Sequence, residues 1–194
     1  TKEMLDKENY DALIIAIGAE PVIPDLPGID KPHMSWAPHA EMGKIPVGDK
    51  VIIVGAGSVG LEAAIDFRRA GKDITVIEIL SRAKAMQALF ASAKMVAREF
   101  PMILEAENVP VHYELKPTEI FDDRIVCENT SNGHMIEFPD DTVLIAAGMK
   151  PLRDAAESMR RCAPETEVYI VGDAKEVGSI CTAVNTAFAA ALHI

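Results

Sequence analysis

Residues 12–17, 51–54, 74–77, 142–147 and 168–171 are short, nearly continuous apolar stretches, each followed by a glycine or, after residue 77, by Glu78. A strand that alternates buries one face. A strand with no alternation buries both, as in a parallel sheet covered on each side. Residues 61–70 place apolar side chains at helical spacing and stop at Gly71, which can take the left-handed conformation that ends a helix. Strand 51–54, this helix and strand 74–77 therefore read as a β-α-β unit of about thirty residues. Residues 83–107, rich in Ala, Met and Leu, read as helical, with Pro101 expected to break the run in two. Met86, Met95 and Met102 read as core filling, and residues 109–113 as a third strand. Segments 117–121, 124–128 and 134–138 alternate and are separated by Asp122-Asp123 and Ser131-Asn132-Gly133. Those are turn signals, and they predict a small antiparallel meander inserted in the domain. Pro151 is expected to open a polar helix, and residues 179–193 an Ala-rich one.

Between the first strand and the β-α-β unit lie Pro21, Pro24, Pro27, Gly28, Pro32 and Pro38. So many breakers exclude helix and central strand, so this stretch reads as an ordered connector with a boundary near Gly48. The chain has 194 residues, of which 49% are hydrophobic and 25% charged, a balance that supports a real core. No apolar run approaches the length that spans a bilayer, and residues 1–7 carry no signal-like apolar segment. The net charge of −11 disfavours nucleic-acid binding, which needs cations to displace counterions. It does not disfavour a ligand whose phosphates are met by backbone N–H groups. Cys127, Cys162 and Cys181 form no C-x-x-C pair, so no metal site is expected. Free thiols fit a reducing, cytoplasmic setting.

Gly55, Gly57 and Gly60 follow a β-branched strand and open a helix, the context in which G-x-G-x-x-G reads as a dinucleotide site. The first glycine permits the tight turn. The second lets a pyrophosphate approach the backbone, and the third lets helix and strand pack closely. The N–H groups from Gly57 through Ser58 and Val59 then face the anion, helped by the helix dipole. Glu78 ends the next strand, where a carboxylate accepts hydrogen bonds from the adenosine ribose. It would repel a 2′-phosphate, and Ile79 and Leu80 follow it, leaving only Arg82 as a compensating cation. NADH is therefore favoured over NADPH.

Several separated motifs now agree. Residues 10–21, ending Ile17-Gly18-Ala19-Glu20-Pro21, resemble the A-T-G-x-x-P strand and turn of two-dinucleotide flavoproteins. Gly55-x-Gly-x-x-Gly60-x-Glu62 resembles their NAD(P)H fingerprint, Gly148-Met149-Lys150-Pro151 their G-x-x-P turn, and Gly172-Asp173 their late G-D motif. The wording at residues 47–57 and 76–80 is similar to the C-terminal portion of NADH:flavin oxidoreductases of the 2,4-dienoyl-CoA reductase, 2-enoate reductase and trimethylamine dehydrogenase type, in the pyridine nucleotide-disulfide oxidoreductase superfamily. The resemblance implies that Gly55, Gly57, Ser58, Val59 and Gly60 bind the NADH pyrophosphate and Glu78 the ribose. It also implies that Glu62 lies toward the nicotinamide, that Gly148 packs against the cofactor, and that Gly172 and Asp173 contact FAD. Two departures stand out. Ala174-Lys175 follow Gly-Asp where the family has Cys and later Pro-Arg, and Asn185-Thr186-Ala187 replace His-Glu-Gly.

The fold class expected is α/β, a Rossmann-like NAD(P)-binding domain with a parallel sheet plus antiparallel meander, flanked by partial FAD-binding segments. The expected division is 1–44 (FAD-domain strand and connector), 45–150 (NADH domain) and 151–194 (FAD-domain C-terminal segment). No glycine fingerprint for FAD precedes residue 12, so FAD is expected in the full-length protein and weakly or not at all in this piece. Strands 12–17 and 168–171 are expected to pair. The expected partners are NAD(H) and the FAD and barrel domains of a parent protein, with no nucleic acid or membrane. No Ser-His-Asp, H-E-x-x-H or paired-carboxylate arrangement appears. His33, His39, His112, His134 and His193 read as surface or turn residues, and the catalytic residues are unassigned. A non-catalytic NAD-sensing or ADP-binding domain of an electron-transfer flavoprotein, and a glutathione-reductase-like protein, are also compatible with the chain.

Overall fold

The computed structural model describes residues 2–5, 7, 10–94 and 96–194. In chain order the elements are α1 (Lys2–Leu5), β1 (Ala12–Ile15), β2 (Ala19–Pro21), β3 (Met34–Trp36), α2 (Ala37–Glu41), β4 (Lys50–Val54) and α3 (Ser58–Arg69). Then follow β5 (Asp73–Ile77), α4 (Arg82–Ser92), α5 (Glu99–Ala106), β6 (Val111–His112), β7 (Leu115–Ile120), β8 (Arg124–Asn129) and β9 (Met135–Pro139). The chain closes with β10 (Thr142–Ile145), β11 (Met149–Pro151), α6 (Arg153–Arg161), β12 (Glu167–Ile170), a short 3-10 turn (Gly172–Ala174) and α7 (Ile180–Ala191).

The chain divides into two compact units, one of Thr1–Pro21 with Met149–Ile194 and one of Val22–Gly148. The second holds a five-stranded parallel sheet in the order β3-β10-β4-β5-β6 and the antiparallel meander β7-β8-β9. β4 explains why its apolar run is unbroken. Val51 and Ile53 join Ala63, Ala64, Phe100 and Leu104 from α3 and α5 in one core. Ile52 and Val54 join Leu115, Ile120, Ile125 and Cys127 of the meander in another. Three layers, helices then parallel sheet then meander, bury both faces of the central strand. Cys127 is fully buried, and burial pushes its thiol up to about 12, leaving it inert.

In the first unit β1 and β12 pair in parallel, Ala12 opposite Glu167 through Ile15 opposite Ile170, as expected for these two strands. β2 and β11 pair antiparallel. Here Pro151 ends a strand, and the polar helix begins at Arg153.

Several expectations are corrected. Within the stretch 83–107, α4 ends at Ser92 and α5 begins at Glu99, ahead of Pro101, which sits in the first turn of α5. A proline there forfeits no helical hydrogen bond. For the same reason Pro38 is accommodated in α2, so the proline-rich connector contains a short helix as well as the edge strand β3. The compact unit that holds the parallel sheet takes in the proline-rich stretch from Val22 onward. Met86 packs against the core, but Met102 is 71% exposed and fills nothing. Met95 lies outside the described residues. The described residues contain no helix long and apolar enough to cross a membrane.

Candidate functional site

The glycine turn is built by three different constraints. Gly55 has φ +114°, a conformation that a Cβ makes costly, and its N–H donates to the Ile77 carbonyl at 2.8 Å. A side chain at Gly55 would run into the Ala146 carbonyl, and one at Gly60 into the Gly55 carbonyl oxygen. The turn is thus wedged between β10 and the first turn of α3. Gly57 differs, because a Cβ there would meet nothing, so space lies open directly over the backbone. α3 starts at this point with no side-chain cap and no acidic residue in its first turn. The N–H groups at Ser58, Val59 and Gly60 therefore belong to an open, electropositive helix end.

Glu78 is 8% exposed. Its Oε2 accepts the Ala56 N–H at 2.7 Å and its Oε1 the Leu80 N–H at 2.8 Å. The carboxylate thereby ties the glycine turn to the end of β5. An ionised carboxylate offers about four acceptor sites, so capacity remains for two hydroxyl donors. The sequence did not foretell the contact with Ala56, because it joins residues 22 positions apart in the chain.

Gly55, Gly57, Glu78 and Gly148 all line one cavity of about 520 Å³, within the range of cofactor sites. Its other walls are Pro24–Leu26 from the connector, Ala85, Ala88, Leu89 and Ser92 from α4, and Leu115–Pro117 from the meander. Ser58, Val59 and Gly60 lie just beyond its edge on α3, and Glu62 is exposed on α3 without lining it. Near Glu62 stands Glu41, whose carboxyl is raised by burial and by the charges of Asp66 and Glu62. Arg82 also lies elsewhere, in a smaller cavity with Tyr113. The cation that does reach the nucleotide-sized cavity is Lys116, for which the sequence carried no signal.

Gly172 and Asp173 belong to the other unit. The Gly172 N–H donates to Thr186 Oγ1 at 2.9 Å, and Asp173 Oδ1 accepts the Gly178 N–H at 3.1 Å. That unit has its own cavity of about 680 Å³ between β12, α6 and α7, lined by neither residue. It is larger, but the convergent glycines, open helix end and buried carboxylate are all at the smaller one. No group of His, Cys, Asp and Glu among the described residues is arranged to hold a metal.

A parallel sheet whose glycine turn meets an uncapped helix, with a buried carboxylate ending the neighbouring strand, is a Rossmann-like arrangement. The chain belongs to the pyridine nucleotide-disulphide oxidoreductase family, which its residues 2–189 match. It is 25% identical over 175 residues to an NADH oxidase of Enterococcus faecalis, covering 84% of this chain and 37% of that protein. It is 25% identical over 197 residues to a cinnamate reductase of Clostridium sporogenes, covering all of this chain and 28% of that protein. Among solved structures it is similar to a 2-naphthoyl-CoA reductase, with TM-score 0.81 and 25% identity over 97% of this chain and 27% of the other. The chain thus spans well under half the length of these relatives.

Proposed function

We propose that the unit Val22–Gly148 is the NADH-binding module of a flavin-dependent oxidoreductase, of the NADH:flavin type in which a barrel domain completes the protein. The observation that carries this reading is the cavity itself, which gathers Gly55, Gly57, Glu78 and Gly148 from three separate segments. The residues fit the cofactor. Open space over Gly57 admits a pyrophosphate, the α3 end supplies N–H donors, and Glu78 retains acceptor sites for the adenosine ribose. Gly148, at φ +96° with nothing facing its Cα, leaves room for the nicotinamide half. When bound, NADH supplies a hydride to a flavin ring stacked on it, so this chain's task is to orient the nicotinamide and exclude water. The other unit, with Gly172 and Asp173, is the share of the FAD domain present here. Asp173 accepts the Gly178 N–H through Oδ1, which leaves acceptor sites on its carboxylate for a ribityl hydroxyl.

Calorimetric titration with NADH, NADPH and ADP tests the reading. NADH is expected to bind at least about tenfold more tightly than NADPH, because the Glu78 carboxylate would repel a 2′-phosphate on the ribose it accepts. NADPH binding as tightly as NADH would remove the ribose role of Glu78. ADP binding as tightly as NADH would favour an adenine-nucleotide site in an electron-transfer flavoprotein. No affinity for any of the three would defeat the proposal.

A further inference from the structure

The connector that supplies Pro24–Leu26 to the nucleotide cavity runs on over the meander. Its Pro27 carbonyl accepts the Ile120 N–H at 2.9 Å, and Gly28 lies so near β7 that a side chain would strike the Ile120 carbonyl. At its far end Lys31 pairs with Asp122 at the surface, and His33 turns its ring inward to Asp140, Nε2 to Oδ1 at 3.5 Å. Asp140 follows β9 directly, and its side chain is completely buried. Among the described protein groups neither of its oxygens has a well-formed hydrogen bond, and neither has His33 Nε2. The same elements bring other charges close. Asp123 stands in the β7–β8 turn, its carbonyl accepting the Asp140 N–H, and Asp141 is spent on the N–H groups of Asp49 and Lys50.

A fully buried carboxylate with two acidic neighbours and one imidazole cannot stay charged without cost. Keeping a proton on Asp140 resolves this, because a neutral carboxyl can meet the His33 imidazole across the same contact. We propose that Asp140 keeps its own proton in the folded chain and so clamps the connector, and with it one wall of the cavity, onto the meander, and that the clamp slackens when that proton is lost. The inference rests on the packing of this unit and needs no ligand.

Burial, with Asp141 and Asp123, raises the Asp140 carboxyl to about 6, against the opposing pull of His33. The sign follows. An unfolded chain gives up this proton near pH 4, whereas the folded one holds it to about 6. The contribution to stability is therefore fullest at the acid end and is lost as pH rises through that window.

The test compares the whole chain with Asp140→Asn, which keeps the shape and cannot ionise. As pH rises from about 4.5 to about 7.5, the melting temperature of the natural chain should fall relative to Asp140→Asn by at least about 3 °C. Over the same range, amide exchange at residues 26–34 should speed up in the natural chain relative to Asp140→Asn at each pH. In His33→Gln the relative fall should continue to higher pH, because the His33 ring no longer draws the Asp140 carboxyl down. Parallel melting curves for the natural chain and Asp140→Asn would overturn the proposal. If Asp140→Asn does not fold, a carbon-13 titration of the Asp140 carboxyl in the natural chain decides instead. Titration near 6 supports the clamp, and titration below about 4 defeats it.

Discussion

Glu78→Ala should lower NADH affinity by about one to two decades and also lower the stability of the domain. The two effects share an origin. Removing the carboxylate deprives the Ala56 and Leu80 N–H groups of the acceptors they hold at 2.7 and 2.8 Å. Leaving buried donors unpaired costs about 1–3 kcal/mol each. The ribose would lose a charged acceptor as well, a further loss of about 1.5–3 kcal/mol. Glu78→Gln separates the contributions, since its amide keeps one acceptor oxygen and turns the other end into a donor facing an N–H. Calorimetry against NADH and ADP-ribose, with thermal melts of the free proteins, measures both. A Glu78→Ala protein with natural affinity would show that the carboxylate serves the fold alone.

The second large effect contrasts two glycines of one motif. Gly60→Ala should destabilise the domain by about 1–3 kcal/mol through overpacking, because the new Cβ meets the Gly55 carbonyl and lies 3.2 Å from Ala146 Cβ. Gly57→Ala should do the reverse, keeping the natural melting temperature while losing the ligand. Its φ of −75° suits any residue, and nothing in the free protein meets the added methyl. Alanine is a poorer N-cap than glycine but restricts the unfolded chain, so the two terms leave a net change within about 1 kcal/mol. The methyl occupies the space a pyrophosphate needs, and displacing two charge-assisted hydrogen bonds should cost roughly two decades in affinity. Equal melting and equal binding for Gly57→Ala would mean that no ligand passes over this backbone.

The β-α-β unit, the glycine turn and the meander were legible because each is written locally. Unbroken β-branched runs mark strands covered on both faces, and Asp122-Asp123 or Ser131-Asn132-Gly133 mark tight turns. What the sequence concealed is long-range. Nothing near Pro24 or Lys116 signals that they wall the same cavity as Gly57, since the parallel sheet and meander bring them there. Arg82 read as the cation beside the ribose because it follows Glu78 by four positions, yet α4 carries it into a different cavity with Tyr113. The break before α5 was misplaced because Pro101 reads as a breaker anywhere, whereas a first-turn proline is harmless. His33 was legible as a turn residue, but its inward ring depends on Asp140, 107 positions along the chain.

The central claim is that a dinucleotide lies across the glycine turn with its pyrophosphate on the α3 end and its ribose at Glu78. Backbone amide resonances followed by NMR during titration with NADH test this most directly. The largest shifts are predicted at residues 55–60, 78–80 and 147–148, with smaller ones at 116–117. Binding that leaves the amides of Gly57, Ser58 and Val59 unmoved would contradict the claim.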